Sequence, residues 1–153
     1  MTKNYRSSGS FGKRQEFVAI AELLKRHFDL YMTLVDDQQI DCVIRQRKED
    51  ELRYLDIQIK ARSNKCQVWD GGLFSAMEIA WPRSNFYFIF YSEHLNLHWV
   101  ICSLDLVRLA SRNKKGKNAG LYSLNFCNCP KAGLKPREKF REYENAFHLL
   151  EWN

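Results

Sequence analysis

From Leu52 to Arg62 the side chains alternate without a break. Leu55, Ile57, Ile59 and Ala61 fall on one side of an extended chain; Tyr54, Asp56, Gln58 and Lys60 fall on the other. A run of this length at period two does not suit a helix, whose period is 3.6. It predicts a strand with one face to bury and an opposite face that presents a carboxylate, an amide and an ammonium in a row. The preceding run, Gln39–Arg47, has Ile40, Cys42 and Ile44 on one side and Asp41 on the other. Lys48-Glu49-Asp50-Glu51 reads as a charged hairpin connection between the two. Leu30–Val35, followed by the turn residues Asp36-Asp37-Gln38, reads as an earlier strand. Three successive strands with short links predict an antiparallel meander.

The rest of the chain frames that meander. Residues 1–9 read as a loose polar leader. Ser10 is placed to cap a helix from Lys13 to about Asp29, with an apolar stripe of Phe17, Ile20, Ala21, Leu24 and Phe28. After a break at Gly71-Gly72, Leu73–Ala80 reads as a short helix ended by Pro82. Asn85–Ser92 is a nearly continuous apolar strand, expected to be covered on both faces, and Leu97–Cys102 is its expected neighbour. Ser103 is placed to cap a helix over Leu104–Ala110. Arg112 to Lys117 is a basic loop, Leu121–Phe126 a last short strand, and Pro136–Trp152 a second long helix carrying Phe140, Tyr143, Phe147 and Leu150 on one face. The expectation is a single domain over 1–153 of the α/β class, a mixed sheet of about five strands flanked by helices. With 45% hydrophobic and 14% aromatic residues, the chain can bury a substantial core.

A net charge of +6 makes a polyanion such as DNA a natural partner. No apolar run approaches the ~20 residues that span a bilayer, and the polar start does not read as a secretory signal. Five cysteines, an odd number without framework spacing, are expected in a reducing cytoplasm, with Cys42 and Cys102 as buried apolar groups. Cys127-Asn128-Cys129 lacks zinc-knuckle spacing. The histidines show no paired ligand spacing, and no nucleotide-binding glycine loop or serine-nucleophile motif occurs.

Phosphodiester hydrolysis needs an activated water and neutralisation of charge on the reacting phosphate, and a divalent cation supplies both. Mg²⁺ prefers oxygen ligands and keeps several waters, so one or two carboxylates suffice. A neighbouring lysine stabilises developing charge or orients the water. Asp41 and the Asp56/Gln58/Lys60 face meet these needs if the two strands pair with their polar faces aligned. Glu16, at the edge of the first helix's apolar stripe, is a further acid for the same place.

This order resembles the PD-(D/E)XK nuclease superfamily, to which Holliday-junction resolvases, many restriction enzymes and certain intron-encoded homing endonucleases belong. The resemblance runs from Gly12 to about Arg62: Gly12-Lys13-Arg14-Gln15-Glu16 on a first helix, Gln39-Ile40-Asp41 on a second strand, and Asp56-Ile57-Gln58-Ile59-Lys60 on a third. The chain is also similar to small bacterial members with a Gln-x-Lys strand followed by a Phe-Tyr-x-Ile strand, here Ile57-Gln58-Ile59-Lys60 and Phe86-Tyr87-Phe88-Ile89. The resemblance implies a restriction-endonuclease-like core and a DNA endonuclease using Mg²⁺ or Mn²⁺ and leaving a 3′-hydroxyl and a 5′-phosphate. It further implies a homodimer or larger homo-oligomer, since small members need two subunits to span a duplex. By it, Asp41 is the main metal ligand, Gln58 stands in the place of the usual second acid, Glu16 is the helix acid, and Lys60 is the catalytic lysine. Gln58 departs from the common pattern: an amide oxygen ligates without charge, which lowers metal affinity or leaves compensation to Glu16.

For a DNA-binding protein, Lys13, Arg14, Arg62, Lys65, Arg112, Lys114, Lys115 and Lys117 are candidate phosphate contacts. Asp56, one strand repeat from Gln58, is expected to support the site rather than form it. Trp69 and Trp81 are expected in the core or an interface, with base stacking as the alternative. Other readings use the same residues. Asp41 and Lys60 also suit a plain cross-strand ion pair. The neutral Gln58 also suits a catalytically inactive nucleic-acid-binding module on this fold. The abundance of aromatics also suits a protein-interaction subunit of a defence or toxin system.

Overall fold

The computed structural model describes residues 7–35 and 38–153. Most of the expected leader, and Asp36 and Asp37 of the expected turn, lie outside the described residues.

Helix α1 spans Ser8–Lys25. Its cap is Ser7 rather than Ser10: the Ser7 hydroxyl accepts from the Ser10 backbone N–H at 3.2 Å, and the helix begins correspondingly earlier. It buries Phe11, Ala19, Ile20 and Leu23, while Phe17, Ala21 and Leu24 face outward. Both sets have helical spacing and share Ile20, so the period alone does not choose between them; the sheet accepts the set built around Ala19 and Leu23. The helix stops before the expected Asp29. His27 adopts φ 65°, its N–H reaches Leu24 O at 2.9 Å, and the Phe28 N–H reaches Leu23 O at 3.2 Å. This pair of bonds closes a helix through a left-handed residue, a place glycine usually takes.

Strands β1 (Asp29–Met32), β2 (Cys42–Lys48) and β3 (Glu51–Arg62) form the expected antiparallel meander, with Leu30 opposite Ile44, Ile44 opposite Leu55, and Lys48 opposite Glu51. A 3-10 turn follows at Val68–Asp70. Leu73–Met77 is a strand, β4, not the expected helix. Phe74 and Met77 are both buried, a spacing a helix also satisfies; a bulge with Ala76 at φ 53° lets a strand satisfy it instead. β5 (Phe86–Ser92) lies parallel to β3, pairing Asp56, Gln58 and Lys60 with Phe86, Phe88 and Phe90, and β6 (Leu97–Cys102) returns antiparallel to it. The main sheet therefore has five strands in the order β1-β2-β3-β5-β6 and is mixed. The chain is α/β, with this sheet flanked by helices.

Helix α2 (Ser103–Leu109) follows β6 directly. Ser103 does not cap it. Its hydroxyl accepts from Arg83 N at 2.9 Å and donates to Arg83 O at 2.8 Å, tying the helix to the segment before β5. β7 (Ser111–Arg112) and β8 (Tyr122–Asn125) join β4 in a second sheet ordered β4-β8-β7. β9 (Cys127–Asn128) and β10 (Lys135–Pro136) form a small ribbon. Gly72 makes the close approach there: a Cβ on it would stand 2.3 Å from Cys127 Sγ.

The expected long C-terminal helix is replaced by two 3-10 turns, Glu138–Tyr143 and Phe147–Leu150, with Asn145 at φ 47° between them and Pro136 inside β10. The reason lies in the core, which has two layers. The layer under α1 holds Leu23, Ile44, Leu55, Ile57, Ile59 and Ile89; the opposite layer holds Phe88, Phe90, Trp99, Leu106 and Phe126. Phe140 and Tyr143 pack in the second layer, but Phe147 and Leu150 pack in the first. The segment crosses the edge of the sheet at β6, where Trp99 bridges to Glu144 and the Asn145 N–H reaches His98 O at 2.8 Å. A straight helix does not supply both faces of a sheet. No helix of the described residues is long and apolar enough to cross a membrane.

The left-handed His27 carries a steric cost that glycine lacks. His27→Gly is expected to stabilise the fold by about 0.5–1 kcal/mol, the relief of that strain less glycine's greater entropy loss. Thermal unfolding should show the midpoint rise by roughly 1–4 °C; a lower midpoint would contradict the cap geometry.

Candidate active site

Asp41 stands at the entrance to β2, held from both sides. Its carbonyl accepts from the Thr33 N–H at 3.4 Å, just past β1, and its N–H reaches Ile57 O at 2.8 Å on β3. Its carboxylate turns to the same strand: Oδ2 accepts from the Ile59 N–H at 2.6 Å. Ile59 lies between Gln58 and Lys60, so the acid is clasped to the backbone that carries the other two candidates. A charge-assisted bond of this kind orients a carboxylate and favours its ionised form.

Glu16 projects from α1 and is one-fifth exposed, with Oε2 bonded to Lys13 Nζ at 2.6 Å. Its charge and that of Asp41 both act on a third group. Burial pushes the Cys42 thiol up to about 12, and the charges of Asp41 and then Glu16 push in the same direction. Both carboxylates therefore lie close enough to Cys42 for their fields to add.

Gln58 is buried, and its Oε1 has no hydrogen-bond partner. Lys60, two residues along the same strand face, is partly buried and forms no ion pair with any acid among the described residues. The plain Asp41–Lys60 salt bridge is therefore not formed. Asp56, next on that face, is paired with the guanidinium of Arg83 and is committed to it. Among the described residues no three His, Cys, Asp or Glu side chains gather to hold a metal ion. The oxygen donors in this region are two carboxylates and an amide.

The basic candidates are dispersed. Lys13 is bonded to Glu16, and Arg14 and Lys65 are exposed. Arg62 Nε donates to Asp70 O at 3.2 Å, and Arg112 Nε donates to Gly120 O at 3.2 Å, closing its own loop. Lys114, Lys115 and Lys117 are exposed between β7 and β8, on the second sheet rather than the sheet that carries Asp41. Cys102 is half-buried, not buried as expected; its thiol lies 3.5 Å from Arg83 O. Trp69 and Trp81, expected in the core or an interface, are 60% and 73% exposed and so lie outside the core. Arg83 carried no sequence signal, because its partner Asp56 is distant in sequence and no motif links them.

No protein-family model matches the sequence, and none of the curated proteins matches it. The fold does match. The structure of a bacterial homing endonuclease, I-Ssp6803I, superposes with a TM-score of 0.62 over 95% of this chain and 93% of that one, at 18% identity. A nuclease from a fusellovirus, D212, aligns with 95% of this chain and 90% of its own at 13% identity, with a TM-score of 0.49.

The clasp at Ile59 separates two roles for Asp41. Asp41→Ala removes the acceptor from a partly buried N–H and should cost about 1–3 kcal/mol of stability. Asp41→Asn keeps an acceptor oxygen and should cost clearly less. Urea unfolding of both variants checks this; equal losses would mean that the bond contributes nothing.

Proposed function

We propose that this chain is a metal-dependent DNA endonuclease of the PD-(D/E)XK type. The observation that carries the reading is the clasped Asp41 carboxylate beside a buried amide oxygen and an ammonium that lack partners of their own. A buried acceptor left unbonded costs free energy, so it is rare where nothing uses it. Fold likeness to a homing endonuclease supports the same conclusion.

The donor set fits Mg²⁺ or Mn²⁺, which take oxygen ligands and need few charges from the protein. Asp41, Gln58 and Glu16 would hold the ion, directly or through water. When bound, such an ion supplies charge neutralisation at the phosphate and a more acidic water. Lys60 would donate to the phosphate oxygens as negative charge builds on them, and would orient the attacking water. In-line attack breaks the P–O3′ bond, leaving a 3′-hydroxyl and a 5′-phosphate. Lys13, Arg14, Arg62, Lys65, Arg112, Lys114, Lys115 and Lys117 would contact the backbone phosphates. All five cysteines are free thiols, as suits a reducing cytoplasm.

A second copy of the chain is part of this reading. The aromatic-rich second half, which the sequence offers as a surface for it, has most of its aromatics in the core. Exposed apolar residues instead stand on α1 and on the edge strand β1: Phe17, Val18, Leu24, Tyr31 and Met32. Light scattering should give a mass of at least two chains; a monomer at all concentrations would remove this part.

The neutral Gln58 favours one competitor, an inactive nucleic-acid-binding module. Supercoiled plasmid with Mg²⁺ or Mn²⁺ separates the two. The enzyme nicks it, and Lys60→Ala slows nicking by about 10²-fold or more. Binding without nicking by either protein would establish the module. An affinity indifferent to salt would exclude DNA as the ligand in both cases.

A further inference from the structure

Beside the proposed site lies a cleft of about 510 Å³ between the Gln38–Ile40 segment and Trp81–Arg83, with Asp56 and Phe86 in its lining. Its volume suits a compact ring system. The lining includes Ile40, the neighbour of Asp41, and Asp56, two residues from Gln58. Trp81 is in its lining, 73% exposed and outside both core layers. Packing does not require an indole there.

The indole is nevertheless held. The Arg83 guanidinium lies 5.1 Å from the Trp81 ring centre and 4.6 Å from that of Phe86, donates to Trp81 O at 2.8 Å, and is paired with Asp56. Gln39, also in the lining, donates from Nε2 to Glu78 Oε2 at 3.1 Å, which orients the amide. Gln39 lines the cleft, and its amide oxygen remains as an acceptor. An aromatic face and an amide lining one cleft are what a nucleobase needs: a surface to stack on and an edge partner.

We infer that this cleft is a base-binding subsite in which Trp81 stacks on an unpaired nucleobase next to the phosphate presented to Asp41 and Lys60. The inference rests on the nuclease reading and deepens it by naming the substrate class: DNA that is locally unpaired at the cut, such as a flap or branch. A paired base does not meet the requirement, because its faces are covered by neighbouring base pairs and its edge is already bonded.

The test is binding in metal-free buffer, read by anisotropy of a fluorescein-labelled flapped duplex and of the same sequence fully paired. A series of flaps carries a single abasic nucleotide at successive positions around the junction. Wild type should prefer the flap, and one abasic position should weaken its binding by roughly tenfold. Trp81→Ala should lose about as much on the intact flap and be insensitive to that abasic nucleotide. Trp81→Phe should retain most of the affinity. Unchanged thermal unfolding shows that the variants fold, as an exposed side chain predicts. Wild-type affinity of Trp81→Ala for every DNA, or an equal loss on paired and abasic DNA, overturns the subsite. Plasmid nicking by wild type in that case leaves the nuclease reading standing. Wild type that binds no DNA overturns both.

Discussion

The pairing of β3 with two neighbours, β2 antiparallel and β5 parallel, is the constraint on which the rest of the structure depends. A strand bonded on both edges buries the middle of what it carries, here Leu55 and Ile57–Ile59. On the α1 side it carries Leu55, Ile57 and Ile59, which is simple hydrophobic burial. On the other side it carries Asp56, Gln58 and Lys60 in register with Phe86, Phe88 and Phe90. A polar row packed beside an aromatic row does not minimise free energy unless each polar group is compensated.

The compensation is uneven. Asp56 receives Arg83, and the guanidinium is in turn sandwiched against aromatic faces. Ile59's N–H, beyond the last regular β2–β3 pair, receives the Asp41 carboxylate in place of a strand carbonyl. Gln58 Oε1 receives nothing. Proteins tend to relax local consistency at functional sites and recover stability elsewhere. Here the recovery is visible in the aromatic layer, where Trp99 stacks on Phe126 at 4.7 Å and Phe74, Phe90 and Phe140 close around it.

The elements whose evidence is local were legible. The alternation in β3, the hairpin at Lys48–Glu51 and the apolar run of β5 all follow from side-chain period and turn residues. So did the polar face of β3 and the placement of Asp41 at its neighbour strand. The misreadings share a cause. The outward Phe17–Leu24 stripe, the strand at Leu73–Met77 and the broken turns after Pro136 each have a period compatible with two structures. In each, the deciding contact comes from residues far along the chain: the sheet under α1, β8 beside β4, and β6 under Asn145.

Taken alone, the residues dictate where β3 and β5 run and which face of β3 is polar, because side-chain period is a property of neighbours in sequence. Which strand lies parallel to β3, that Arg83 neutralises Asp56, that Trp81 stands in the open, and that the last residues wrap both faces of the sheet emerge only on folding. Those outcomes depend on how two layers of side chains fill a shared volume, and no window along the chain contains both layers.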